Sequence, residues 1–265
     1  LVTESGSKKK LQGAVSPEDI DHVAYQETLQ AIESGAYPFI AARFVGYDAL
    51  SHQHGKDSVE AIACLERLLE QIGHIAGALE TLQRPYNLIV FSDHGQSDVR
   101  TFFYPNEILA QSRWRKHLFN NQLRFVGDGS GALLFYSVLD EKQNKEIMAY
   151  FNGMPEVHHF HERTWESRLS FQPVGILDLN QNVCGEDIMP TEEPKYKEMK
   201  SLHGYHPANV DEMNGFMVCI GNQLAKSKRI EQAPIESIAP TVAALFHISH
   251  PCGGSTLIDM MGEHE

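Results

Sequence analysis

The feature that most narrows the fold is a strand–helix–strand pattern running from Phe39 to Gly95. Phe39-Ile40-Ala41-Ala42-Arg43-Phe44-Val45 follows Tyr37-Pro38 as an apolar run of strand length. Asn87-Leu88-Ile89-Val90-Phe91 follows Pro85 and reads the same way, β-branched at Ile89 and Val90. Between them Val59, Ile62, Leu65, Leu68, Leu69, Ile72, Ile75, Leu79 and Leu82 recur at helical spacing, so a long helix buries one face. Asp57, with Glu60 three residues on, predicts a capping box at its start. Such a crossover is right-handed and makes its strands parallel, ending on one edge of the sheet. Strands apolar throughout belong to sheets covered by helices on both faces. The expected architecture is α/β, a three-layer α/β/α arrangement around a mostly parallel sheet.

Both strands lead into acid and imidazole. The first delivers Asp48 and His52 before Gly55, the second Ser92-Asp93-His94-Gly95. In open α/β sheets ligands bind at the carboxyl edge, so both pairs are expected on one rim. Alone, Asp-His-Gly is equally an ordinary strand-to-turn junction; the repetition points to a site. A third cluster, Ser201-Leu202-His203-Gly204-Tyr205-His206, precedes the apolar run Gly215–Gly221. Carboxylate and neutral imidazole are zinc ligands. Asp48, His52, Asp93, His94 and His203 form one coherent set. Two divalent ions roughly 3.5–4 Å apart are the clamp used in phosphoryl displacement.

Composition limits the partners. A net charge of −13 argues against a nucleic-acid polymer, which needs a basic face. It leaves room for a small anionic substrate if metal ions supply positive charge. No stretch approaches the roughly 18 apolar residues of a membrane span, and the start lacks a signal-peptide core. Cys64, Cys184, Cys219 and Cys252 form no CxxC pair and read as buried small hydrophobes. The 265 residues contain no internal repeat or clear linker, so residues 1–265 are expected to form one domain.

Elsewhere Ser16-Pro17 opens a helix closed by Gly35. Pro105 starts a short helix, 123–126 and 131–138 read as strands, and Asp140 caps a helix to about Phe151. Leu177–Lys200 reads as a long polar loop of the kind that forms lids, and Pro240–His247 as a closing helix. His158-His159-x-His161 is either a solvated loop or a separate metal tract. His54 is read as lying beside the site or on the surface. Arg43 is read either as paired or as meeting a phosphate or acidic headgroup.

Asp48-x-x-x-His52-x-x-Gly55, then Ser92-Asp93-His94-Gly95, then His203-Gly204-Tyr205 resembles the alkaline phosphatase superfamily, nearest its type I phosphodiesterase and nucleotide pyrophosphatase branch. The motif order and the long intervening helix match, from about residue 37 onward. The resemblance implies two zinc ions, with manganese as the alternative. Asp48, His52 and His203 are then ligands of one ion, and Asp93 and His94 part of the shell of the other. It implies attack on phosphorus by a metal-activated Thr or Ser, giving a covalent phosphoryl intermediate that is then hydrolysed. The substrate is expected to be a small phosphate ester. A parent protein outside the cytoplasm or tethered to a membrane is suggested by the same resemblance, with a cytoplasmic one as the alternative.

Several features depart from the family pattern. The family has an earlier strand ending in another Asp ligand, followed by the nucleophile. No such strand precedes Asp48, and Thr3, Ser5 and Ser7 have no ligand Asp before them. The expectation is a core lacking its N-terminal nucleophile segment, a portion of a longer enzyme; the alternative is a short inactive relative that binds metal without turnover. The intact ligand set favours the former. Related chemistries on the same fold are phosphomonoesterase, sulfatase, phosphoglycerol transferase and phosphomutase. Ser51 stands where the family usually has Gly, and His206 where an Asp is common, as an added ligand or a rim residue.

Overall fold

The computed structural model describes residues 16–163, 172–224, 229–249 and 255–258. Thr3, Ser5, Ser7 and Cys252 lie outside the described residues. In chain order the elements are α1 (Pro17–Ser34), α2 (Gly46–His54), α3 (Val59–Thr81), β1 (Asn87–Phe91), β2 (Ser97–Asp98), β3 (Thr101–Phe103), α4 (Pro105–Gln111), α5 (Arg115–Phe119) and β4 (Leu123–Val126). They continue with β5 (Asp128–Ser130), β6 (Ala132–Ser137), α6 (Glu141–Asn152), β7 (Val157–Glu162), β8 (Gly175–Leu179), β9 (Val183–Glu186), β10 (Ser201–Leu202), β11 (Met217–Gly221) and α7 (Ile238–Leu245).

The α/β class stands, and α1 begins as its sequence predicts. Ser16 and Asp19 form a reciprocal capping box, and Gly35 closes the helix at φ 63°, where a side chain would be strained. For α3 the cap shifts by one residue. Ser58, not Asp57, accepts the hydrogen bond from the N–H of Ala61, while Asp57 pairs with Lys56 at 2.8 Å.

The expected strand at 39–45 does not form among the described residues, and the mostly parallel sheet is not what the pairings show. β1 pairs antiparallel with β11, β2 with β10, and β4-β6-β8-β7 is wholly antiparallel; β3–β9 is the one parallel pairing described. The physical reason at 39–45 is the lack of a ladder partner among the described residues. Apolar content alone cannot stabilise an isolated strand, and Phe39 remains 56% exposed. The chain then turns into helix at Gly46. Asp21 of α1, almost wholly buried, accepts hydrogen bonds from the N–H groups of Val45 (2.6 Å) and Gly46 (2.9 Å) and so caps α2 from outside.

The principal core lies in the middle of the chain, where α4, α5 and α6 pack with the four-stranded sheet. Phe125, Phe135, Phe151 and Phe160 meet there with ring centroids 4.8–6.3 Å apart. The segment read as a polar loop at Leu177–Lys200 instead carries the end of β8 and the fully buried β9, separated by the turn Asn180–Asn182. Beyond it, β10 pairs with β2 and brings His203 to the segment that leaves β1.

Candidate metal centre

Asp48 and His52 lie one turn apart on α2, and therefore on one face of a helix rather than at a strand end. Asp48 Oδ1 stands 3.4 Å from His52 Nε2 and 3.9 Å from His203 Nε2. Asp48, His52 and His203 bring ligand-capable atoms within 4.8 Å of one another, the one such group among the described residues. His203 is delivered by the turn after β10, where Gly204 at φ 88° packs against Ser130 so closely that a Cβ would meet the Ser130 hydroxyl at 2.3 Å.

Asp93 and His94 leave the end of β1. His94 stacks on His203 with centroids 3.9 Å apart, and its Nε2 lies 3.6 Å from Asp93 Oδ1. The turn is fixed by Gly95, whose N–H donates to the carbonyl of Met213; a Cβ there would lie 1.8 Å from the carbonyl oxygen of Glu212. The five residues picked out in the sequence thus gather at one partly exposed corner, three as a tight cluster and two stacked beside it.

Hydrogen bonds assign the tautomers. His52 Nδ1 lies 2.7 Å from the carbonyl of Ser201, and His94 Nδ1 3.1 Å from that of Gly95. A carbonyl only accepts, so each Nδ1 carries a proton, leaving Nε2 as the atom through which each ring would bind a metal. Burial works against charge on Asp48, yet His52, His203 and Gln96 outweigh it and hold the carboxyl below its usual range. Burial also opposes charge on His52, but Asp48 and the Ser201 carbonyl raise its pKa. His203 is lowered, first by burial and then by His94, and so favours the neutral imidazole that binds metal.

One carboxylate and two imidazoles with an open position is the donor set of catalytic zinc sites. Asp93 and His94 place a further carboxylate and imidazole beside that group. His54 is exposed, and His206 is exposed with its Nδ1 accepting from the N–H of Ala208 at 3.2 Å; neither joins the cluster. His158, His159 and His161 lie on β7, a strand and not a loop, where His161 Nε2 faces Asp178 Oδ2 at 3.4 Å. Arg43 is exposed. Sequence reasoning missed Asp21, Gln96 and Ser201, which hold the ligands in place. An isolated amide or hydroxyl has no signature spacing, although Gln96 directly follows the Asp-His-Gly motif.

The family model described as type I phosphodiesterase / nucleotide pyrophosphatase matches residues 7–205. No relative among curated proteins matches the chain. Among solved structures, murine ectonucleotide pyrophosphatase / phosphodiesterase 5 is similar at TM-score 0.64 and 16% identity, covering 93% of this chain and 64% of that one. Phosphonoacetate hydrolase from Sinorhizobium meliloti 1021, in complex with phosphonoacetate, is similar at TM-score 0.55 and 14% identity, covering 80% of this chain and 52% of that one. At these identities the likeness is one of fold. The chain spans less than two thirds of either structure's length.

Proposed function

This chain belongs to the type I phosphodiesterase / nucleotide pyrophosphatase family, and from that premise we propose that it is the metal-binding portion of a hydrolase of phosphoric esters that uses two divalent ions, zinc or alternatively manganese. The observation that carries the reading is the convergence of Asp48, His52 and His203 from positions up to 155 residues apart. In this reading those three residues hold one ion, and Asp93 and His94 contribute to the second. Bound there, the ions would polarise the phosphoryl oxygens and offset charge on the nucleophile and leaving group.

The protein's own contribution is orientation. The Nδ1–H groups of His52 and His94 are anchored on carbonyls, leaving each Nε2 directed outward, and Gln96 steadies Asp48. Asp48 and Asp93 side chains are 43% and 60% exposed, so a small ester can reach the corner from solvent. The nucleophilic Thr or Ser, and the remaining ligand of the second ion, are assigned to a segment outside this chain. Two apolar runs that lead to the site support that assignment. Among the described residues, 39–45 have no ladder partner and β1 is paired on one edge.

Metal analysis of the purified chain after zinc loading is the test. The reading expects about one tightly held equivalent, as three protein ligands can supply, and its loss in His203→Ala. No bound metal after loading would end it. The chain alone is expected to turn over chromogenic diesters little or not at all. Substantial diesterase activity abolished by His203→Ala would place the nucleophile within these residues. A full-length parent that binds metal yet hydrolyses nothing would favour a binding module.

A further inference from the structure

Behind Asp48 lies a buried hydrogen-bond relay that the motifs do not include. Gln96, 7% exposed, donates from Nε2 to Asp48 Oδ1 at 2.6 Å and to the Asp48 carbonyl at 3.3 Å. Both partners are acceptors, so the amide orientation is fixed with Oε1 on the opposite side. There Oε1 and the carbonyl of Ser51, 2.7 Å from Ser201 Oγ, both accept from the wholly buried Ser201 hydroxyl and share its one proton. The Ser201 carbonyl in turn accepts from His52 Nδ1. Gln96 therefore joins three separate pieces of chain: α2, the turn after β1, and β10.

Resting on the metal-site reading above, we infer that Gln96 is a positioning residue that holds Asp48 Oδ1, the oxygen facing both imidazoles, in its ligating orientation, with Ser201 fixing the amide. A carboxylate oxygen has two lone pairs. With one taken by Gln96, Asp48 has one left on that oxygen to offer a cation between His52 and His203. Outer hydrogen bonds of this type to a metal ligand are worth about 10–100-fold in affinity.

The test is zinc titration of this chain, with the cobalt(II) visible spectrum as a readout of coordination that a merely structural role would not move. Gln96→Met keeps the volume and removes the amide. It should weaken zinc binding about 10-fold or more and shift the cobalt spectrum, with the melting profile of the middle core retained. Ser201→Ala, which leaves the Gln96 donor in place, should weaken binding about fivefold, the worth of one ordinary hydrogen bond, and covers the case in which Gln96→Met does not fold. In the double variant, zinc affinity should match that of Gln96→Met alone. Wild-type zinc affinity and an unchanged cobalt spectrum in Gln96→Met, or in Ser201→Ala if the former does not fold, would overturn the inference and leave the metal site standing. A wild-type chain that takes up no metal would overturn both.

Discussion

Two regions of this molecule contain strong apolar runs and treat them differently. In the middle of the chain, from β3 to Tyr205, a cluster of four aromatic rings is sealed, with Phe125, Phe135 and Phe151 0% exposed and Phe160 2%, while Phe119 and Tyr150 lie at its surface. In the flanking region of α1–α3 with β1 and β11, comparable residues lie open. Phe39 is 56% exposed, Leu69 58%, Val218 50% and Ile220 45%, and no residue of β1 is fully buried. An apolar run becomes core only when a ladder satisfies its backbone and another layer covers its face. The middle has both; the flank has them in part. The candidate centre sits on the seam, taking Asp48 and His52 from the flank and His203 from the end of the middle. The seam is held by Gln96, Ser201, and the Lys200 N–H that donates to the His52 carbonyl at 2.8 Å.

The largest expected effect tests the sealed half. Phe125→Ala should cost about 3–5 kcal/mol, from lost transfer energy and the cavity left behind, whereas Leu69→Ala on the open face of α3 should stay within about 0.5 kcal/mol. Denaturant unfolding of the two variants checks the contrast, and equal costs would break it. The next effect lies inside the flank. Asp21→Ala removes the acceptor of two N–H groups at the start of α2 and should cost about 2 kcal/mol. Amide exchange in α2 should accelerate while the middle strands keep their protection. A variant whose α2 exchanges like wild type would show that Gly46–His54 is anchored elsewhere. Smaller still, Val218→Thr with Ile220→Thr should change stability by less than about 1 kcal/mol together, since both side chains already meet solvent; a cost of several kcal/mol would mean that this face is covered.

The same contrast explains what could be read in the sequence. Helices at Pro17–Ser34, Val59–Thr81 and Glu141–Asn152 were legible because periodicity and caps are local. The strand expected at 39–45 was not realised because a ladder needs a neighbour from elsewhere, and local composition does not specify one. Asp48 and His52 were recognised as a pair but placed at a strand end, although their four-residue separation is itself helical spacing. Strands β8 and β9 were hidden by the polar turn Asn180–Asn182, with Asn182 at φ 70°, and by the acidic stretch beyond. All five proposed ligands were legible as types and motifs. Gln96, Ser201 and Asp21 were not, because their roles come from long-range contacts; Gln96 and Ser201 are 105 residues apart.

The finest comparison uses two cysteines buried alike, one in each region. Cys64 on α3 is 2% exposed and Cys184 on β9 is 0%. Burial, then the Glu186 carboxylate, pushes the Cys184 thiol up to about 12. Because that pKa is raised, the thiolate forms only as pH climbs toward that value, and at pH 8 about one molecule in 10⁴ carries it. Burial also raises Cys64, with the Asp21 charge adding to it. Reaction at either site needs the chain to open, and the cost of opening should differ. Cys64 needs the α1–α3 packing to loosen, whereas Cys184 needs the sealed middle to unfold. Among the three described cysteines, alkylation at pH 8, followed by peptide mass spectrometry, should therefore modify half-buried Cys219 first, Cys64 next, and Cys184 only under conditions that unfold the middle. Equal protection of Cys64 and Cys184 would show that the flank, despite its exposed leucines and valines, opens no more readily than the core.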